Sequence, residues 1–169
     1  ATDVIDSEHP CFVGRPGVFS ERAANFIVQN ADLHIAIGTR LPFMVTGYNA
    51  KDFARESKRV MVDIDPKETK KKSLDVHLKI VSDAGRFLSC LMELLTEENQ
   101  IDSEWLGRCQ ALRNRYPIVD PQYSLQEEWV NSYYFIQMLS DALDSEAAVM
   151  TDMGLSFVGT HQALSLIHI

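Results

Sequence analysis

Positive charge is scarce in this sequence. Its 169 residues include 16 Lys and Arg against 24 Asp and Glu, which gives a net charge of −8 at pH 7. Proteins that bind nucleic acid need clustered Lys and Arg against the phosphates, so the acidic balance argues against a nucleic-acid partner. The one basic run, made of Lys67, Lys70, Lys71 and Lys72, is short and typical of a solvated turn or helix face, with an anion site as the minor interpretation.

Cysteine is also scarce, with three residues, Cys11, Cys90 and Cys109. Their number is odd and no CxxC pair exists, so neither a disulfide framework nor a zinc site is indicated. The five histidines show no ligand spacing, and His34, inside an apolar run, is expected to be a packed core or sheet residue. We therefore predict no metal site in this chain.

Long apolar runs are absent. No run approaches the about 20 residues that a membrane-spanning helix needs, and no signal peptide opens the chain. Hydrophobic residues make up 46% and charged residues 24%, which is the usual balance of a globular chain with a buried core. We expect no membrane partner and a cytoplasmic location.

Short apolar runs alternate with amphipathic stretches along the whole chain. The runs at 32–38, 59–65, 78–83 and 147–152 predict strands, and their continuous apolar character predicts cover on both faces. Helices are predicted at 21–31, 49–57, 84–95, 102–116 and 125–143, with Ser20 and Asp83 as N-caps. The core face of the longest helix is predicted to contain Trp129, Tyr133, Ile136 and Leu143. This alternation is typical of an α/β fold with a Rossmann-like parallel sheet.

A domain boundary is predicted after Leu95, where a polar stretch begins. Pro117 and Pro121 break any helix in the segment that follows the 102–116 helix. This segment has the character of an interdomain linker. The helix and strand beyond it are predicted to begin a new unit.

Two glycine-containing stretches are candidates for ligand binding. Gly14 and Gly17 bracket a turn before a helix, which can hold a phosphate but is more often a plain tight turn. Gly38, Thr39 and Arg40 follow the first strand, where a ligand can approach the backbone. Arg40 can pair with an anionic group or, as the simpler alternative, with a neighbouring acid.

Two further stretches place polar groups at strand ends. Asp63 and Asp65 close the second strand, where a carboxylate can accept hydrogen bonds from ribose hydroxyls or cap the next helix. Gly154 and Ser156 follow the last predicted strand in an order typical of a phosphate cradle. Because parallel strands end at one edge of a sheet, Gly17, Gly38 and Asp65 are expected to converge there.

Taken in order, these stretches resemble the central domain of thiamine-diphosphate-dependent enzymes, and most of all the acetolactate synthase large-subunit branch. The matching residues are His9 and Pro10, Gly14, Gly17, Ala23 to Asn25, Ala31 to Leu33, Ile35 to Arg40, Val45 to Gly47, Asp63 to Pro66 and Glu68. Residues 149–154 resemble the first strand of that family's diphosphate-binding domain. The resemblance implies a central domain at 1–97 that lacks its opening elements, a helical linker at 98–124 and the start of the diphosphate-binding domain at 125–163.

The resemblance also implies a function for the parent protein. Enzymes of this family use thiamine diphosphate and Mg2+ to act on a 2-oxo acid such as pyruvate, as carboligases or decarboxylases of the transferase or lyase class. A homodimer or homotetramer is expected. The family's activating Glu and magnesium motif have no counterpart in this chain, so it is expected to hold no catalytic residue and to be inactive alone. A non-catalytic nucleotide-binding or scaffold paralogue stays open as the alternative.

Cofactor contacts follow from the same resemblance. Gly154, Leu155 and Ser156 stand where the family begins to contact the diphosphate, although Leu155 and Ser156 replace a common Gln-His pair. Some relatives hold FAD in the central domain, and the matching positions here are Gly17, Gly38, Thr39, Arg40, Asp63 and Asp65. The family's Met-His-Gly turn is Val18-Phe19-Ser20 here and its Asp-Asp-Arg is Pro42-Phe43-Met44, so a relic cleft without flavin is the stronger expectation.

The last six residues, LSLIHI at 164–169, have no counterpart in the family. They match an in-frame reading of a sequencing adapter. We expect them to be an artefact that packs poorly, the alternative being a genuine hydrophobic strand.

Overall fold

The computed structural model describes residues 4–96, 102–144 and 146–165. Its sheet has three parallel strands in the order β1, β2, β3. The strands are β1 Leu33–Ile37, β2 Lys58–Asp63 and β3 Leu78–Val81. Helices connect them, so the structure confirms the predicted α/β class.

The main core lies on one face of this sheet. Ala36 of β1 stands opposite Met61 of β2, and both side chains are buried. They pack in one cluster with Leu41, Phe53, Ala54, Leu74 and Val76. On the other face Leu33, Ile35 and Leu78 remain exposed, so the prediction that both faces are covered is wrong for the part of the chain described here. A continuous apolar run indicates that a strand is hydrophobic, but it does not show whether other elements of the chain cover both faces of that strand.

Seven α-helices accompany the sheet in the described ranges. They are α1 Arg22–Asn30, α2 Phe43–Thr46, α3 Pro66–Thr69, α4 Ala84–Leu94, α5 Ser103–Arg115, α6 Ser132–Ala142 and α7 Leu155–Ala163. Short 3-10 turns lie at Ala50–Asp52 and Pro121–Leu125. Among the residues that the structure describes, no helix is both long enough and apolar enough to cross a membrane.

One of the two predicted helix caps is confirmed. The Asp83 carboxylate accepts the Arg86 backbone N–H at 3.0 Å and begins α4. The prediction that Ser20 caps α1 is wrong, because the N-cap position belongs to Glu21, whose side chain makes no cap. The carboxylate of Glu21 instead accepts the Arg15 backbone N–H at 3.0 Å, so it is engaged with the preceding loop.

Three element predictions are wrong. Residues 147–152 form no strand, and Met150 is 95% exposed. A strand needs a hydrogen-bonded neighbour, and the three strands of the described sheet do not pair with this segment. The predicted 125–143 helix begins only at Ser132, where Asn131 caps it, and Trp129 is 78% exposed outside it. The predicted helix at 49–57 is a single 3-10 turn.

The helix α5 packs against α1 and is hydrogen-bonded to the loop that precedes α1. Arg113 donates to the carbonyl oxygens of Phe12 and Ser7, both at 3.1 Å. Its guanidinium also lies 5.4 Å from the centre of the Phe12 ring. Cys109 buries its side chain on the same helix. This predicted linker helix therefore forms part of the packing around α1.

The helices α6 and α7 form a second packed pair. Gly159 allows close approach, since a Cβ there would lie 2.8 Å from Cδ1 of Ile136. Ser165 donates its backbone N–H to the buried hydroxyl of Ser140 at 3.0 Å. Leu164 and Ser165 are half-buried, while the rest of the predicted artefact, 166–169, lies outside the described residues. The nature of that tail stays a prediction.

Candidate functional site

Polar residues meet where the three parallel strands end. Gly38 extends β1 by donating its N–H to the Val62 carbonyl at 2.8 Å, and Ser82 donates to the Asp63 carbonyl at 3.1 Å. Gly38 has φ +62, and a Cβ there would lie 3.7 Å from that of Ala84, at the start of α4. The structure thus brings Gly38, Asp63 and the beginning of α4 to one edge. We call Gly38, Thr39, Arg40, Asp63 and Asp65 the strand-end cluster.

The two aspartates of the strand-end cluster shape the turn from β2 into α3. Asp63 is buried, and its Oδ1 accepts the Asp65 backbone N–H at 2.8 Å. Asp65 in turn accepts the Lys67 backbone N–H at 2.8 Å and caps α3. The helix-capping interpretation of Asp65 therefore matches the observed contacts, and one oxygen of each carboxylate is already engaged.

Arg40 pairs with a neighbouring acid. Its side chain is 79% exposed, and its Nε lies 3.7 Å from Oε1 of Glu68. Lys71 lies 3.5 Å from the other oxygen of Glu68 and 3.5 Å from the Leu41 carbonyl. The Thr39 hydroxyl accepts the Leu41 N–H at 3.4 Å. The sequence indicated Arg40 as a candidate and placed Lys71 only in the short basic run. The contact of Lys71 with the Leu41 carbonyl depends on the fold.

Leu41 adopts a left-handed backbone conformation beside this ion pair. Its φ is +45, and its side chain is buried in the main core. A non-glycine residue in this region costs about 1–2 kcal/mol. This conformation accompanies a buried Leu41 side chain in the main core, and the next residue, Pro42, is the N-cap of α2.

The opening glycine turn uses its backbone amides internally. Gly17 donates to the side-chain oxygen of Asn25 at 2.8 Å, and the Asn25 amide donates back to the Gly17 carbonyl at 2.9 Å. Val18 donates to the Met44 carbonyl at 2.8 Å. These donors are therefore committed to the fold, and the contacts match a plain tight turn. Asn25 stands in the Ala-Ala-Asn motif, but its role as a two-point clamp on Gly17 was not predicted.

Packing also explains the glycines of this turn. Gly14 has φ +110, and a Cβ there would lie 2.2 Å from Oε2 of Glu21. Gly17 has φ +150, and a Cβ there would lie 2.6 Å from the Met44 carbonyl oxygen. This turn also contacts α2, the helix that follows Arg40 in the chain, because Val18 donates its N–H to the Met44 carbonyl. Side chains at either glycine would collide with buried or backbone groups.

Gly154, Leu155 and Ser156 form the first turn of α7. Gly154 has φ +89 at the N-cap, a Cβ added to it would have no neighbour within 4 Å, and Leu155 is 83% exposed. The Ser156 hydroxyl donates to the Asp152 carbonyl at 3.0 Å. In the ranges that the structure describes, no hydrogen bond joins these three residues to the strand-end cluster.

Two titratable groups near these elements, the buried Glu21 and the half-buried His34, have shifted pKa values. Burial raises the pKa of Glu21, and the Arg15 N–H and guanidinium oppose that shift only in part. Burial, followed by the charge of Arg59, lowers the pKa of His34. The His34 ring stands edge-on to Phe53 with centres 5.2 Å apart, and its Nδ1 has no hydrogen-bond partner in the part of the chain described. His34 is therefore a packed neutral residue, as predicted.

The residues present fit the implied cofactors unequally. The exposed first turn of α7 has an open approach for a diphosphate, because its N-cap has no side-chain hydrogen bond and nothing crowds Gly154. The strand-end cluster does not fit FAD well, since Arg40 and both aspartates are engaged within the protein. Among the described residues, no group of three or more His, Cys, Asp and Glu is placed to hold a metal ion.

Comparison with known proteins gives one consistent family. The family model described as the thiamine pyrophosphate enzyme central domain matches residues 1–91, thiamine pyrophosphate being another name for thiamine diphosphate. The acetolactate synthase isozyme 2 large subunit of Escherichia coli K12 is 31% identical over 165 residues, which are 98% of this chain and 27% of that protein. The probable acetolactate synthase large subunit of Methanocaldococcus jannaschii is 30% identical over 154 residues, 87% of this chain and 25% of that protein.

The match extends beyond microbial proteins. The probable chloroplastic acetolactate synthase 2 of Oryza sativa is 31% identical over 155 residues, which are 88% of this chain and 23% of the rice protein. The chain thus spans about a quarter of the length of these curated relatives. On the family match and the parallel α/β sheet together, the chain belongs to the thiamine pyrophosphate enzyme family.

Proposed function

We propose that the parent protein is a thiamine-diphosphate-dependent carboligase or decarboxylase that acts on a 2-oxo acid such as pyruvate, in the manner of an acetolactate synthase. The observation that carries this proposal is the 31% identity to an acetolactate synthase large subunit over 98% of the chain. The reaction belongs to the transferase or lyase class. The parent assembles as a homodimer or homotetramer.

In this proposal the first turn of α7 contacts the diphosphate. Backbone amides of Leu155 and Ser156 point toward an anion at the helix N-terminus, and Gly154 leaves room for it. The Ser156 hydroxyl is engaged with the Asp152 carbonyl, so its backbone contributes more than its side chain. When bound, thiamine diphosphate supplies the carbanion-stabilising chemistry.

We further propose that the 169-residue chain is not catalytic by itself. A few hydrogen bonds from the α7 turn contribute about 1 kcal/mol each. Association of a ligand costs at least about 4 kcal/mol in lost translational and rotational freedom. The balance leaves no useful affinity for the cofactor, and Asp152 alone cannot form the oxygen ligand set that Mg2+ prefers.

The strand-end cluster is proposed to serve the fold, without FAD. Support comes from the contacts of its side chains: Arg40 pairs with Glu68, Asp63 holds the β2–α3 turn and Asp65 caps α3. Flavin fluorescence tests this in the full-length parent. Unchanged fluorescence at saturating FAD is expected, and quenching that follows a binding curve would contradict a relic cleft.

The experiment that tests the function is a turnover assay on the full-length parent with thiamine diphosphate, Mg2+ and pyruvate. Pyruvate consumption with release of carbon dioxide and formation of acetolactate is the expected result. Calorimetry of the same sample with thiamine diphosphate gives the necessary control. Tight cofactor binding without consumption of any 2-oxo acid would contradict the enzyme proposal and favour a non-catalytic paralogue.

A further inference from the structure

A cavity of about 420 Å³ lies where the start of α1, the end of α5 and the helices α6 and α7 meet. Its volume falls within the range of about 300–1,000 Å³ that is usual for small-molecule sites. Two arginines and three tyrosines contribute to its wall: Arg22, Arg115, Tyr116, Tyr123 and Tyr133. This combination of guanidinium groups and aromatic rings occurs at no predicted site of the chain.

The two arginines hold uncompensated positive charge beside the cavity. Both guanidinium groups lie over the ring of Tyr116, at 5.5 Å for Arg22 and 5.4 Å for Arg115 from its centre. Within the described ranges neither of them forms an ion pair with a carboxylate. In a chain with a net charge of −8, two unpaired arginines that share one aromatic ring form a local anion-attracting region.

The acids on the same wall are engaged with other groups. Glu21 accepts the Arg15 N–H at 3.0 Å, and its pKa is raised by burial. Asp120 accepts the Gln122 N–H at 2.9 Å and begins the 3-10 turn. Glu21 also pairs with the Arg15 guanidinium at 3.8 Å. Each acid therefore has a partner of its own, whereas the two arginines have no carboxylate partner in the described part of the chain and are left to pair with an anionic ligand.

Two further tyrosines contribute aromatic surface to the wall. The rings of Tyr123 and Tyr133 are tilted by 32° with centres 6.5 Å apart. The Tyr133 hydroxyl donates to the side-chain oxygen of Gln162 at 2.6 Å, so its polar group already has a partner. The faces and edges of these tyrosine rings are therefore the groups available to a ligand, and they favour a second aromatic ring in offset or edge-to-face contact.

We propose that this cavity binds an aromatic phosphate monoester. Its phosphate pairs with Arg22 and Arg115, because guanidinium groups bind phosphate oxygens through charge-assisted hydrogen bonds. Its ring packs against Tyr123 and Tyr133. The cavity wall includes neither the first turn of α7 nor any residue of the strand-end cluster, so this site is independent of the proposed cofactor function.

Calorimetry on the 169-residue chain tests the site with three probes: phenyl phosphate, cyclohexyl phosphate and inorganic phosphate. We expect phenyl phosphate to bind tightest, since only it offers both an anion and an aromatic ring. The substitutions Arg22→Gln and Arg115→Gln are each expected to weaken phenyl phosphate binding about tenfold, which is the effect of losing a charged hydrogen bond.

Arg55→Gln is the matched control. Arg55 is an exposed arginine paired with Glu56 at 3.7 Å, and it does not line the cavity. It is expected to leave affinity unchanged, while circular dichroism confirms that all three variants keep the helical content of the parent chain. Absence of saturable binding, binding that neither cavity variant weakens, or equal affinity for inorganic and phenyl phosphate would overturn the proposal.

Discussion

At the scale of single residues, the glycines of the opening turn are explained by close packing. The clamp between Gly17 and Asn25 uses both backbone groups of the glycine, and Val18 uses its N–H on Met44. A sequence motif that can hold a phosphate in other proteins is here hydrogen-bonded to Asn25 of α1 and Met44 of α2. A phosphate-binding turn and a plain tight turn differ in the acceptors of their backbone N–H groups. The spacing of glycines along the chain does not reveal those acceptors.

The substitution Gly17→Ala tests this packing explanation. Alanine there meets both an unfavourable φ and the Met44 carbonyl at 2.6 Å, whereas Gly47→Ala meets an unfavourable φ of +80 and no atom within 4 Å. We expect Gly47→Ala to lower the free energy of unfolding by about 1–2 kcal/mol. Gly17→Ala is expected to lower it by at least about 1 kcal/mol more. Urea denaturation of both variants measures the difference, and equal losses would contradict a steric role for Gly17.

The buried carboxyl of Glu21 predicts a specific pH dependence. Because its pKa in the folded state is raised mainly by burial, folding favours the protonated form. Its stabilising contribution is therefore complete at pH values below the ordinary glutamate pKa of about 4.3, and it is lost as the pH rises through the raised folded pKa.

Glu21→Gln removes this titration while keeping an oxygen that can accept the Arg15 N–H. Relative to the parent chain, the variant is expected to gain stability as the pH rises from about 4 toward about 7. Urea midpoints at intervals across that range measure the difference. A constant difference between variant and parent would show that Glu21 keeps an ordinary pKa in the folded chain.

At the scale of elements, buried Arg59 joins β2 to two separate loops. Its guanidinium donates to the carbonyl oxygens of Phe53 and Ala54 at 3.1 and 3.0 Å, and its Nε donates to that of Asp75 at 2.6 Å. Ala54 is fully buried with φ +45, and its carbonyl also accepts the Ser57 backbone N–H at 3.0 Å. One side chain thus satisfies the backbone where two loops meet at the sheet.

Replacing Arg59 by methionine keeps an unbranched side chain but removes the guanidinium donor from the buried Phe53 carbonyl. The Ala54 carbonyl loses one of its two donors and keeps the Ser57 N–H at 3.0 Å. A buried acceptor that loses its partner costs about 1–3 kcal/mol, so we expect Arg59→Met to lower the free energy of unfolding by about that amount. Lys58→Met, at the neighbouring exposed position, is expected to change it by at most about 0.5 kcal/mol. Similar small effects from both substitutions would show that water replaces the guanidinium.

Local chemistry made part of this architecture predictable. Asp83 precedes an amphipathic stretch and caps it, and three apolar runs form neighbouring parallel strands, because capping and burial act over a few residues. The run at 147–152 is similarly apolar and forms no strand, since strand formation depends on a neighbour distant in the chain. Trp129 failed as a core residue for a related reason, as Asn131 starts α6 only after it.

At the scale of the whole molecule, family membership and chemical capacity are separate properties of this chain. The family match and the strand-end geometry describe a domain that holds its shape through internal hydrogen bonds. Among the described residues matched to cofactor contacts, only the first turn of α7 has an open approach for the proposed cofactor. In the function that we propose, this chain supplies a fold and a few diphosphate contacts, and the assembled parent supplies the chemistry.

The most direct test titrates thiamine diphosphate with Mg2+ into the purified 169-residue chain and then assays the same sample for pyruvate consumption. We expect no binding tighter than about 1 mM, which corresponds to about −4.1 kcal/mol, and no loss of pyruvate. Measurable turnover of pyruvate by the chain alone, or micromolar affinity for the cofactor, would contradict the claim that its α7 turn offers only a few weak contacts.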